Sequence, residues 1–191
     1  MRHIFVPAFA AVLAALTATA TPASADTTIK PMTFVNQDLV NRMDGSRLLL
    51  VSDATADGTA VMTTRGITRD AFLSEAWDAE GTWSHRKRTW TMTLRNRAAD
   101  KCLQPADDTP ARGEAVVVRT CDGSDLQKWS LRLETKGGNT HRWWIWRPVT
   151  NLQLAMSVGS VGPDSNQITL DYAYPTYDRM WLLGPDNSNW W

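Results

Sequence analysis

The stretch KCLQPADDTPARGEAVVVRTCDGSDLQKW, Lys101 to Trp129, contains both cysteines of the chain and one complete structural unit. Upstream of it, Trp90, Met92 and Leu94 alternate with Thr91, Thr93 and Arg95, the period of a half-buried strand. A turn at Arg97 to Asp100 leads into Cys102-Leu103, and a loop with Pro105, Pro110 and Gly113 follows. The β-branched run Val116-Val117-Val118, then Cys121, a polar turn Asp122-Gly123-Ser124, and Gln127-x-Trp129 complete it. Short apolar runs between Pro, Gly and Asp punctuation predict strands, not helices.

The unit recurs. Trp77 lies 52 residues before Trp129 and Trp181 lies 52 after it, closing Ser74-Glu75-Ala76-Trp77 and Asp178-Arg179-Met180-Trp181. Arg47 to Val51 and Leu152 to Met156 align with Lys101 to Pro105, which puts Leu48 and Gln153 at the position of Cys102. Gly58-Thr59-Ala60-Val61 and Ser165-Asn166-Gln167-Ile168 answer Gly113-Glu114-Ala115-Val116. Each copy is too small to bury a core alone, so three copies must share one.

The ordered elements CLQP, VVVRTC and QKW, with worn copies on either side, resemble the ricin-type β-trefoil lectins over roughly Thr33 to Gly184. The resemblance implies an all-β, single-domain β-trefoil of twelve short strands, a six-stranded barrel capped by three hairpins. Its repeats span approximately 33–81, 88–135 and 141–184, and Trp77, Trp129 and Trp181 are buried where they meet. Leu49, Val51, Val61, Leu94, Leu103, Val116, Val118, Ile168 and Leu170 are the expected core beside them. Lectins of this type bridge Cys102 and Cys121 within the repeat. The pair reads the same way by itself, because a metal site needs further thiols or histidines nearby. The turn-rich pattern is also that of a β-sandwich, but the equal tryptophan spacing argues for three repeats.

Residues 1–25 carry Arg2, an apolar stretch from Ile4 to Leu16 and Ala23-Ser24-Ala25 before Asp26, the form of a secretory signal peptide cleaved near Ala25. The expected mature domain is 26–191, secreted, with no membrane span. Twenty basic residues balance twenty acidic ones, so no general field draws nucleic acid. The basic run His85-Arg86-Lys87-Arg88 falls between the first two repeats and reads as a solvated or protease-sensitive loop.

No nucleophile elbow, metalloprotease motif or phosphate-cradling glycine loop occurs, and the mature chain keeps only His85 and His141. The reading is a non-enzyme without cofactor or metal, whose partner is a glycan or glycosylated surface. Family roles carried over by position fall on Gln104, Arg119, Leu126 and Gln127 in the middle repeat. The first repeat has Leu50, Thr64, Ser74 and Glu75 there, and the third has Ala155, Asp171, Asp178 and Arg179. Of the family's galactose set only Gln127 persists. Leu50 and Ala155 accept no hydrogen bond, and Arg119 replaces a ring by a planar cation, so the candidate ligand residues are Gln104, Arg119, Gln127, Asp171 and Asp178, suited to a polar or acidic sugar. Gln127 bonding only its own turn is the competing assignment.

The chain has ten tryptophans. In Trp143-Trp144-Ile145-Trp146 alternation sends Trp143 to the face opposite Trp144 and Trp146, and Trp190 and Trp191 end the chain. An exposed patch of Trp143, Trp190 and Trp191 implies the alternative of a docking subunit for another secreted protein, similar to the accessory subunits of cytolethal distending toxins. A third reading, a protease inhibitor of the Kunitz-trefoil kind, has only the loop Pro105 to Gly113 to offer.

Overall fold

A computed structural model describes residues 31–65, 72–134, 143–159 and 165–185. The twelve strands come four to a repeat. They are β1 (Met32–Asn41), β2 (Arg47–Leu50), β3 (Thr59–Thr64) and β4 (Trp77–Ser84); β5 (Thr89–Asn96), β6 (Lys101–Pro105), β7 (Val116–Thr120) and β8 (Trp129–Glu134); β9 (Trp143–Pro148), β10 (Leu154–Val158), β11 (Ser165–Tyr172) and β12 (Met180–Pro185). Antiparallel pairing runs β1 to β4, β4 to β5, β5 to β8, β8 to β9, β9 to β12 and β12 back to β1, a closed ring without a free edge. The remaining strands form hairpins β2–β3, β6–β7 and β10–β11. Bridges of β3 to β7, β3 to β11 and Ala115 to Thr169 close them into a triangular cap. Barrel plus cap is the β-trefoil.

The three copies are locked by the same bonds. Each repeat-ending tryptophan is fully buried, and its indole N–H donates 3.0 Å to a cap-strand carbonyl: Trp77 to Leu48, Trp129 to Leu103, Trp181 to Met156. Adjacent repeats are sewn together by Arg42 N–H to Met180 O (2.9 Å), Arg97 N–H to Ala76 O (3.0 Å) and Val149 N–H to Lys128 O (2.9 Å). The buried carboxamides of Asn41 and Asn96 donate to Asp178 O (3.0 Å) and Ser74 O (2.8 Å) of the preceding repeat's 3₁₀ turn. At the third junction the residue before Val149 is Pro148, which has no such donor. Gly58 and Gly113, both at φ +85°, link the cap hairpins in series through N–H bonds to Val118 O (2.8 Å) and Leu170 O (2.7 Å). A side chain there would strain the turn.

These bonds correct the repeat alignment. Leu48, Leu103 and Met156 are equivalent, so Arg47 and Ala155, not Leu48 and Gln153, stand where Cys102 stands. The run Leu48-Leu49-Leu50 is buried throughout, so it carries no alternation from which a register can be read. Val51 is also corrected: it leaves the strand in the 3₁₀ turn Val51–Asp53 and is 38% exposed. The other expected core residues are buried. Cys102 and Cys121 are bridged, with Cα atoms 5.0 Å apart. The basic run forms the turn between β4 and β5, where Lys87 N–H bonds Ser84 Oγ at 3.2 Å. The proposed leader lies outside the described residues.

Candidate functional site

In the middle repeat the 3₁₀ turn Asp125–Gln127 brings Gln127 beneath the Cys121 turn. Its Oε1 accepts from the N–H groups of Asp122 (2.9 Å) and Gly123 (3.3 Å), and its Nε2 donates to Thr120 O (2.9 Å) and Gln104 Oε1 (3.0 Å). A glutamine amide offers two donors and two acceptor sites, and all four are spent. Gln127 therefore closes its own turn and holds Gln104, itself buried on β6. Arg119 points away, exposed, with Nη2 on Ala106 O at 3.3 Å. Gln104 and Gln127 are brought together; Arg119 bonds neither of them.

The third repeat is closed by charge. Asp171 on β11 takes Arg112 Nε at 2.7 Å on one oxygen and Arg179 Nη2 at 2.6 Å on the other, and the Tyr172 N–H also bonds it at 2.7 Å. Burial alone would raise its pKa, but the Tyr172 N–H and the Arg112 and Arg179 guanidinium groups outweigh it and hold the carboxyl below its ordinary value. Asp178 accepts from Ser157 Oγ at 2.8 Å and pairs with Arg179 at 3.2 Å. The corrected register puts Ser157, not Ala155, at the position of Gln104. Both predicted acids are thus brought together, around Arg179. In the first repeat Leu49, not Leu50, takes that position, and the Ser74 hydroxyl donates a hydrogen bond to Asp53 Oδ1 while its oxygen accepts from Leu50 N–H at 3.0 Å. In every repeat carried-over polar side chains are bonded within the chain itself: Ser74 in the first, Gln104 and Gln127 in the middle one, Asp171, Asp178 and Arg179 in the third.

Two other features remain open. One is a groove of about 470 Å³ between repeats, walled by the disulfide, Gly123 and Gln127 on one side and by Thr33, Asp78, Glu80, Thr93 and Arg95 of the barrel on the other. Asp78 is occupied there by Arg95 (3.3 Å), Arg97 (3.0 Å) and the Asn36 N–H (3.0 Å). The other is a set of exposed tyrosines that sequence reasoning missed: Tyr172, Tyr174 and Tyr177, 44%, 62% and 47% exposed. The available signal was Tyr-Ala-Tyr-Pro-Thr-Tyr, three rings in a Pro-containing loop after an apolar strand.

Trp143 is a correction. It is 3% exposed, packed in a second cluster with Ile145, Ala155, Met180 and Leu182, and covered by Arg42, whose guanidinium carbon is 5.5 Å from its ring. Trp146 enters the main core and Trp144 packs against it, so both faces of β9 are covered and no wet face carries Trp143. Trp190, Trp191 and His141 lie outside the described residues. Among the described residues no three His, Cys, Asp or Glu side chains form a metal cluster, and no helix is long and apolar enough to cross a membrane.

A closed six-stranded barrel, a three-hairpin cap and three equivalent tryptophan anchors define the class as a β-trefoil. The family model described as ricin-type beta-trefoil lectin domain-like matches residues 74–170, just over half of the chain. The chain belongs to that family. Similar solved structures include ThreeFoil, a designed 3-fold symmetric protein (TM-score 0.61, 18% identity, 78% of this chain and 96% of that one). The Rhizoctonia solani agglutinin matches with TM-score 0.58 and 14% identity, over 79% of this chain and 95% of its own. The Polyporus squamosus lectin, solved bound to a sialylated epitope, matches with TM-score 0.55 and 16% identity, over 78% of this chain and 48% of its own. At these identities the likeness is one of fold. No curated protein matches the chain.

Proposed function

We propose that the protein is a secreted, non-catalytic module that binds a glycan or glycosylated surface. Membership of the ricin-type family on a complete β-trefoil is the observation that carries this reading. The disulfide and the leader-like residues 1–25 support export, since disulfides persist in oxidising compartments. The non-catalytic reading is supported by Asp78, Asp171 and Asp178, each of which is held by arginines, an arrangement that fixes a structure and leaves these three engaged. Neighbours named as lectins support the glycan class for the ligand. A docking role for another secreted protein is the second reading, favoured by the bonding of carried-over side chains within the chain itself in all three repeats. A glycan array carrying neutral polysaccharides, galactosides and acidic sugars separates the two. Selective retention of the purified mature protein is expected; a silent array contradicts the glycan reading and favours docking.

A further inference from the structure

The exposed tyrosines at the end of β11 and in the loop after it are arranged as a binding surface. Tyr172 and Tyr174 face each other with ring centroids 5.9 Å apart and planes tilted by 50°. Their loop is fixed by the backbone: Ala173 N–H bonds Gln153 O (2.8 Å), Tyr174 N–H bonds Tyr172 O (2.7 Å), and Thr176 N–H bonds Tyr174 O (2.9 Å). Arg132 Nη2 clamps the same loop from β8 through Ala173 O at 2.7 Å. Rings held this way lose little further freedom when something lies on them.

A hydrogen-bonding group stands beside the rings. Arg112 reaches across from the middle repeat and sets its guanidinium 5.2 Å from the Tyr172 ring centre, with Nε on Asp171. Its side chain is 63% exposed, so the outer N–H groups of a five-donor fork face solvent. Asp171 is consumed by Arg112, Arg179 and the Tyr172 N–H, and its part is to aim Arg112. A recess of about 310 Å³ opens alongside, lined by Arg112, Gly113, Thr169, Leu170 and Asp171. Arg112 and Arg179 face Asp171 and Asp178, and Arg132, which clamps the loop, pairs with Glu134 at 2.7 Å, so these three arginines are matched by three carboxylates.

We infer that Tyr172, Tyr174 and Arg112 form a sugar-binding platform between the second and third repeats, taking an uncharged pyranose of a glycan. The apolar face of the ring stacks on Tyr174, and Arg112 donates to its hydroxyls. The site borders the third repeat's family position at Asp171 but takes none of the carried-over residues as a sugar ligand, and it rests on the glycan-binding reading above. A protein partner fits it less well. Two tyrosines exposed to this degree present roughly 200 Å² of ring surface, against about 800 Å² per side in a standard protein interface.

The test is a printed array of uncharged galactosides, glucosides, xylosides and mannosides, probed with the full secreted chain and its variants. Tyr174→Ala should lower retention by about tenfold or more, as loss of a central aromatic anchor does. Its melting temperature should not change, because Tyr174 is exposed. Tyr174→Phe, which keeps the ring, should restore retention. Arg112→Ala should weaken it as well. Wild-type retention that Tyr174→Ala leaves intact overturns the platform while the glycan reading stands. So does retention abolished by Gln104→Ala with Arg119→Ala in a variant that still melts as wild type. An array silent for the wild-type chain overturns the platform, and the glycan reading falls with it when acidic sugars printed beside these are silent too.

Discussion

The indole N–H of Trp129 donates to the carbonyl of Leu103 at 3.0 Å, in a site from which solvent is fully excluded. The bond ties the last strand of a repeat to its cap hairpin, and the chain makes it again between Trp77 and Leu48 and between Trp181 and Met156. Trp129→Phe keeps an aromatic ring but orphans the buried carbonyl and leaves a void, and should cost about 2–3 kcal/mol. Trp129→Ala should cost about 3–5 kcal/mol. Urea unfolding measures both, and a Phe variant as stable as wild type would show that the indole bond contributes nothing.

The disulfide closes a loop between residues 19 apart in sequence. Replacing both Cys102 and Cys121 by Ala should lower unfolding stability by about 3 kcal/mol, chiefly by freeing the unfolded chain. Mass spectrometry of the non-reduced secreted protein should find no free thiol; two free thiols in the folded protein would contradict the bridge.

Gln127 tests whether the middle family position is structural. Gln127→Ala strips partners from two N–H groups, one carbonyl and Gln104, and should cost about 2 kcal/mol or more. Glycan affinity, corrected for the folded fraction, should stay at the wild-type value. An affinity that collapses in a variant of wild-type stability would make Gln127 a ligand residue.

Asp171 gives the network a pH signature. Its pKa lies below the unfolded value of 3.8, so the carboxylate stabilises the folded state above that pH, and the contribution is lost as pH falls through the lower folded pKa. Asp171→Asn should therefore melt below wild type at pH 7, with the gap narrowing below pH 3.8. Differential scanning calorimetry across pH 2.5–7 reads this. A gap independent of pH would mean that the charge on Asp171 does not matter.

The fold was legible because the residues that make it a trefoil are chemically distinctive: three tryptophans at equal spacing, a cysteine pair around one repeat and a Val run between turn residues. The register within repeats was not. Leu48-Leu49-Leu50 is apolar at every position, and only the indole bond of Trp77 reveals which leucine answers Leu103. The third repeat slips the other way, with Ala155 in place of Gln153 at the position of Cys102, so Ser157 escaped notice as the residue bonded to Asp178. Trp143 misled for a related reason. Alternation assigns it a face but not what covers that face, and here Met180, Leu182 and the Arg42 side chain do. The tyrosine platform was missed because it joins Arg112 to Tyr172, residues brought together by the bridge of Ala115 to Thr169 on β11 and by no local pattern.

On the proposed reading the family positions serve the fold while one surface beside the third repeat's position holds sugar. Calorimetric titration of the mature protein with the glycan that the array retains reads this directly as a stoichiometry. One glycan bound per chain is expected, with the heat abolished by Tyr174→Ala. Two or three equivalent glycans per chain, unaffected by Tyr174→Ala, would contradict it and return binding to the repeats.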